Sequence, residues 1–207
     1  MHIKKEHGFN PASKKHFTAT LRAELLQNQF NRTPLWMVSL RNYWLKQLLG
    51  SIDGTPYCVN SPFRVMYGKQ IHIGKNFFSN YNCMILDHES VMIGNDVLFA
   101  PNVTITTISH SMHWSDRAIL LNQSDSFEPQ NRSNYEIVSP VIIGNHVWLA
   151  TGVIVCAGVT IGDNSVIGAG SVVTRDIPPN VFACGIPCRV IRNISEENKE
   201  SIQVQIK

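Results

Sequence analysis

A chain of 207 residues with 43% hydrophobic content and a net charge of +3 can bury one substantial core and is too mildly basic for a nucleic-acid surface. Five cysteines form no disulfide framework, no apolar run approaches the roughly 18 residues of a membrane span, and the opening MHIKKEHGFN lacks the apolar centre of a signal peptide. One soluble unit in the cytoplasm is the expectation.

Residues 1–15 are polar, with Gly8, Pro11 and Ser13, and read as a loose leader. From His16 to about Asn31, Phe17, Leu21, Leu25 and Phe30 recur at helical spacing, which predicts an amphipathic helix. Thr33 followed by Pro34 has the form of an N-cap with proline in the first turn. A second helix should therefore run to Gly50, with Leu35, Val38, Trp44, Leu45, Leu48 and Leu49 on its apolar side. The helical segment covers 16–60. Its Trp36, Tyr43 and Trp44 suit either a wall for a bound acceptor or ordinary packing, and packing is the commoner use of such rings.

A six-residue beat then begins: Ile73, Ser79, Ile85, a slip of two residues, then Ile93, Phe99 and Ile105, with Gly74, Gly94 and Ala100 as small residues following the first positions. The beat stops from His110 to about Pro140, where a polar, turn-rich loop (111–139) is expected to leave the regular structure. Trp114, Ile119, Leu120, Leu121 and Phe127 are its members able to pack on a neighbour or close over a site. From Ile143 to Pro178 the beat returns as IGNHVW, LATGVI, VCAGVT, IGDNSV, IGAGSV, VTRDIP. Its first positions are aliphatic and its second positions small. A helix scatters a period of six around its surface and a single strand shows plain alternation, so neither fits. A short strand and a turn every six residues place the first positions on inner lines, the signature of a parallel β-helix. Small second positions suit a corner with little room. Pro178 and Pro179 end the ladder, the solenoid covers 61–193, and a charged tail (194–207) follows.

Stacked coils filled by aliphatic side chains leave no internal pocket, so a site must lie outside them. Clefts between solenoids packed side by side are the natural place, which favours an oligomer with shared sites. His110 stands where the beat gives way to the loop. It is either a surface histidine or a general base facing such a cleft.

The stretches YGKQIHIGKNFFSNYNCMILD (67–87), VMIGNDVLFAPNVTI (91–105), VIIGNHVWLATGVIVCAGVTIGDNSVIGAGSVVTRDIPPNV (141–181) and GIPCRVIR (185–192) resemble the hexapeptide-repeat acetyltransferases, most closely their galactoside and maltose O-acetyltransferase branch. The resemblance spans about Arg22 to Asn193. It implies a mainly β chain folded as a left-handed parallel β-helix with N-terminal helices and a long ejected loop, assembled as a homotrimer with sites between subunits. It also implies transfer of an acetyl group from acetyl-CoA to a sugar hydroxyl. His110 matches the catalytic histidine and Asn80 an active-site asparagine. The Thr151 backbone N–H matches an oxyanion donor. Trp148, Thr151, Ala169, Thr174, Arg175, Arg189 and Arg192 match positions along the coenzyme A groove, where the two arginines of CRVIR suit phosphates. Met66, Asn80, Asp87 and His88 fall on the acceptor side.

The acceptor side departs from the branch. Met66 precedes Tyr67 and Gly68 where a small polar or acidic residue is usual, Ser111 follows His110 in place of proline, His88 replaces a second carboxylate, and the loop after His110 is longer. These departures point away from galactoside or maltose and toward a unit of a cell-surface polysaccharide or glycan precursor. Two other classes compete: a scaffold that kept only the fold, and a γ-carbonic-anhydrase-like zinc enzyme using some of His72, His88, His110, His113 and His146. A scaffold has no need of His110, Asn80, Trp148 and the arginines. The histidines lack the spacing of three zinc ligands with an open position, so no metal is expected.

Overall fold

The computed structural model describes residues 5–9, 14–54, 57–114 and 134–195, and in its solenoid each unit of the hexapeptide repeat turns the backbone through one corner of a triangular prism. The first face stacks Ser51–Ile52, Ile71–Ile73, Val91–Ile93, Val141–Ile143 and Thr160–Ile161 as parallel strands. On the second lie Cys58–Val59, Phe78–Ser79, Leu98–Phe99, Trp148–Leu149 and Val166–Ile167. The third carries Phe63–Val65, Cys83–Leu86, Thr104–Thr106, Ile154–Val155 and Val172–Val173. The protein is a parallel β-helix, as the hexapeptide period requires.

Strand register turns the sequence repeat into inner columns. Ile52, Ile73, Ile93, Ile143 and Ile161 stack on the first face, all buried. Val65, Ile85, Ile105, Val155 and Val173 do so on the third. Each such side chain contributes roughly 1.5–3 kcal/mol of burial. Ser79 is the polar exception, fully buried next in its column to the bulky Phe99.

The glycines of the first corner serve close approach rather than bending. A Cβ on Gly94 would lie 2.7 Å from the Gly144 carbonyl oxygen of the next coil, and one on Gly74 2.8 Å from the Gly94 backbone. The bend itself falls two residues later on Asn76, Asp96, His146 and Asn164, which take positive φ between 55° and 59°. Asparagine and aspartate tolerate that region better than most residues.

Two helices close the N-terminal end, α1 (Lys14–Arg32) and α2 (Val38–Leu48). The inward stripe of α1 differs from the sequence expectation. Ala23, Gln27 and Phe30 are buried, whereas Phe17, Leu21 and Leu25 point outward and are 63%, 46% and 60% exposed. Amide side chains explain the choice of face, because they substitute for a missing strand. Asn31 both donates to the Phe63 carbonyl and accepts from its N–H, and Gln27 accepts from the Val65 N–H, pairing the open edge of the third face. Thr33 caps nothing at an N-terminus: its N–H and hydroxyl donate to the Gln29 carbonyl and so finish α1. The second helix accordingly starts four residues beyond Pro34. From it Arg41 reaches the carbonyls of Phe30, Thr33 and Val59 and lies 4.2 Å from the Phe30 ring centroid.

The segment expected as a loose leader holds a strand, Lys5–Phe9. It pairs antiparallel with Asn134–Val138, which pairs on its other edge with Ile108–His110. The segment after His110 thus returns as a strand. Ile119, Leu120, Leu121 and Phe127, together with Pro11, Ser13 and the tail from 196 on, lie outside the described residues. At the C-terminal end Val181–Gly185 and Cys188–Asn193 form an antiparallel hairpin on the second face. Among the described residues no helix is long and apolar enough to cross a membrane.

Candidate active site

The third corner, between the third and first faces, is where the coils depart from six. Inward positions either side of it are eight apart from Val65 to Ile73 and from Ile85 to Ile93, 38 apart from Ile105 to Ile143, and six apart again from Val155 to Ile161. The surplus residues include Met66, Tyr67, Asp87, His88 and His110. Slack in the repeat therefore coincides with most of the residues singled out on the acceptor side.

Asp87 holds this corner together. Its buried carboxylate accepts from the backbone N–H groups of Met66 at 3.1 Å, Tyr67 at 2.8 Å and Gln70 at 3.3 Å. Burial pushes its carboxyl above the usual range, and N–H donors from Tyr67, Gly68 and Gln70 pull the other way. Both oxygens face the protein, so Asp87 shapes the corner rather than presenting a charge to solvent.

His88 comes next and is half-buried. Burial holds its imidazole below its ordinary range against a backbone hydrogen bond with Leu86 that works the other way, and the neighbouring His16 and His110 add to the lowering. Tyr67 lies between two of these three imidazoles: its ring centroid is 5.9 Å from His16 and 5.4 Å from His88, the latter edge-on at 73°. His110 ends the strand Ile108–His110, opposite Glu136 in the backbone register. It is exposed, and its imidazole makes no hydrogen bond among the described residues, so it is accessible to take a proton.

Asn80 is elsewhere. It opens the second corner, where its side-chain oxygen accepts from the Tyr81 N–H at 2.8 Å. Between it and Asp87 runs the four-residue strand Cys83–Leu86, roughly 13 Å of third face at about 3.3 Å per residue. Thr151 and Ala169 occupy the same second corner in later coils, both exposed. The Thr151 carbonyl accepts from Gly170, whereas its N–H donates to nothing among the described residues. Trp148 projects from the second face and is 46% exposed. Thr174 and Arg175 follow the last strand of the third face and so return to the third corner. Arg189 and Arg192 lie exposed on the C-terminal hairpin, where Arg189 donates to the Cys188 carbonyl at 2.7 Å and Arg192 sits 5.7 Å from the Phe182 ring.

One chain therefore brings together Met66, Asp87, His88 and His110 but not Asn80, and it distributes the expected coenzyme A residues over two corners, a face and the hairpin. His146, another histidine of the solenoid, belongs to the first corner, bonded to Asn164 at 2.8 Å and 3.5 Å from Asp96. His72 is on the first face beside the Ser51 hydroxyl. No group of three or more His, Cys, Asp or Glu able to hold a metal ion occurs among the described residues. Sequence reasoning missed His16 and Tyr67. The eight-residue step from Val65 to Ile73 marks Tyr67, while His16 needed the true inward stripe of α1.

Comparison with known proteins identifies the family of the chain. Residues 140–175 match the family described as bacterial transferase hexapeptide (six repeats). Galactoside O-acetyltransferase of Escherichia coli (strain K12) is 43% identical over 180 residues, 86% of this chain and 81% of that protein. A crystal structure of a maltose O-acetyltransferase from Clostridium difficile 630 superposes with a TM-score of 0.79 at 41% identity, covering 92% of this chain and 94% of that one. A galactoside acetyltransferase in complex with coenzyme A gives a TM-score of 0.73 at 36% identity, covering 91% and 89%. The chain belongs to the hexapeptide-repeat acetyltransferases, in the branch that contains the galactoside and maltose O-acetyltransferases.

Proposed function

We propose that the protein moves an acetyl group from acetyl-CoA to a hydroxyl of a sugar, with His110 as general base. The observation that carries this is an accessible His110 at the enlarged corner of a chain that belongs to this family. The His110 imidazole takes the proton of the acceptor hydroxyl as its oxygen attacks the thioester carbon. Negative charge on the former carbonyl oxygen meets the open Thr151 N–H. Collapse breaks the carbon–sulfur bond, the thiolate receives the proton from the imidazolium, and an acetyl ester and free coenzyme A result. Trp148, Ala169, Thr174 and Arg175 line the path of the coenzyme, and the Arg189 and Arg192 guanidinium groups take its phosphates.

The working unit in this reading is a homotrimer with its sites between subunits. Asn80 and His110 lie at different corners of one prism, so only a neighbouring copy brings an Asn80 to a His110. The second face supplies a surface for that neighbour. Its outward row, Cys58, Phe78, Leu98, Trp148, Val166 and Phe182, is in register along the whole face and apolar throughout. The corresponding row of the first face includes Ser51, His72 and Thr160, and that of the third Arg64 and Thr104. We place the acceptor, bounded by Met66, Asn80, Asp87 and His88, among units of a cell-surface polysaccharide or glycan precursor acetylated in the cytoplasm. Release of free coenzyme A thiol, followed across a panel of glycosides and glycan precursors, tests the reading. Silence across the panel would sink it.

A further inference from the structure

Each helix of the N-terminal cap carries a second apolar stripe, turned away from the solenoid. On α1 the buried side is Ala23, Gln27 and Phe30, so Phe17, Leu21 and Leu25, which recur every four residues, are left exposed on the opposite side. On α2 Arg41, Leu45 and Leu48 are buried, whereas Leu40 and Tyr43, three apart, are exposed. The turn between the helices adds Trp36, which is 82% exposed rather than packed. Arg22 of α1 donates to the Gln47 carbonyl of α2, which sets the helices side by side, and their stripes form one surface. The positive charge of the chain is gathered on the same element. From Lys14 to Leu48 the sequence holds Lys14, Lys15, Arg22, Arg32, Arg41 and Lys46 against Glu24 alone, an excess larger than the +3 of the whole chain, so the rest of the molecule is net negative. Arg41 is buried, but Arg32 at the end of α1 and Lys46, one turn beyond Tyr43 on α2, are exposed.

We propose that the helical cap is a docking surface for an anionic lipid bilayer, with its two apolar stripes in the headgroup region and Arg32 and Lys46 against lipid phosphates. The inference goes beyond the acetyl-transfer reading and does not depend on it. Tryptophan and tyrosine rings suit that layer, where one end of the side chain meets hydrocarbon and the other meets water. Basic side chains around an exposed apolar face add attraction to anionic lipid, which is the pattern of a helix lying in the interface. An apolar face without charge would fit a second copy of the chain equally well. Two caps meeting here would bring their cations together, so the charge favours the lipid. The contact stays at the membrane surface, since no helix among the described residues is long and apolar enough to span it.

The test is co-sedimentation of the full chain with vesicles of phosphatidylcholine and with vesicles of an equimolar mixture of phosphatidylcholine and phosphatidylserine. Binding to the mixed vesicles should be at least about tenfold tighter and should weaken as salt is raised. The double replacement Arg32→Glu, Lys46→Glu should remove the preference for the mixed vesicles. The double replacement Leu21→Ser, Trp36→Ser should lower affinity for them by about tenfold. Both variants should keep the native circular dichroism spectrum, because all four side chains are exposed. Native protein that stays in the supernatant of mixed vesicles overturns the inference, as does undiminished binding by the Arg32→Glu, Lys46→Glu variant. A native assembly that the Leu21→Ser, Trp36→Ser variant splits into smaller species overturns it too, and gives the surface to a second copy.

Discussion

The first and third corners of the solenoid come from one repeat and end as opposites. At the first, glycines let adjacent coils touch, and polar side chains answer one another up the stack. The Asn145 backbone and side chain donate to Asp163 at 2.8 and 3.2 Å, and Asn145 accepts from the Asn95 N–H at 2.9 Å. Those Asn145 donors hold the Asp163 carboxyl below the usual range. At the third corner extra residues lengthen the turn, Asp87 bridges one coil to the preceding one with its carboxyl pushed up by burial, and imidazoles gather beside it. A corner without slack can only stabilise. One with slack can hold a substrate.

The widest gap between the two should open with His110→Ala. Acetyl transfer should fall by about 10²- to 10⁴-fold, while acetyl-CoA affinity by calorimetry and the melting temperature stay at native values. Transfer that survives would move the base away from the third corner. Leu98→Asp acts between corners, placing a carboxylate in the apolar row of the second face. Sedimentation should show monomers with an unchanged circular dichroism spectrum, and transfer should vanish because Asn80 and His110 no longer meet. A variant that stays monomeric and active would end the shared-site reading.

Stability separates the corners more finely. Asp87→Ala orphans the N–H groups of Tyr67 and Gln70, Met66 keeping its bond to the Ile85 carbonyl, and should cost about 3 kcal/mol in urea unfolding. It should also raise the acceptor KM, since the Tyr67 backbone loses its anchor. Gly94→Ala presses a methyl group against the Gly144 carbonyl and should cost about 2 kcal/mol with unchanged KM values for both substrates. If Gly94→Ala alters acceptor binding as strongly as Asp87→Ala, the two corners are not functionally distinct.

Periodicity made the solenoid legible, because from Ile143 to Val173 an inward aliphatic residue returns at each hexapeptide unit. It could not show which corner matters. The two-residue slip between Ile85 and Ile93 was visible, but its meaning depends on the same corner being enlarged at Val65 to Ile73 and again after Ile105. The helices were harder. Phe17, Leu21 and Leu25 form a better apolar stripe than Ala23, Gln27 and Phe30, and the amide pairing of Gln27 and Asn31 with an open strand edge outweighs it in choosing the face. That override also hid His16. Asn80 and His110 could be named from resemblance, yet their separation onto two corners is a property of coil geometry that no local pattern carries.

The smallest effect is the pH dependence of stability at the third corner, and its sign follows from His88. Burial, with His16 and His110 nearby, lowers its folded pKa below the ordinary 6.5. The unfolded chain therefore binds more protons than the folded one as pH falls through 6.5. The contribution of neutral His88 is complete above that value and is lost as pH drops toward the folded pKa. His88→Asn removes this titration and leaves every other group in place. Urea midpoints of native and variant should run parallel above neutrality and converge or cross in favour of the variant on acidification. A constant difference down to pH about 5 would show that His88 protonates as readily folded as unfolded, and so that the third corner is as open to water as the ladder of the first.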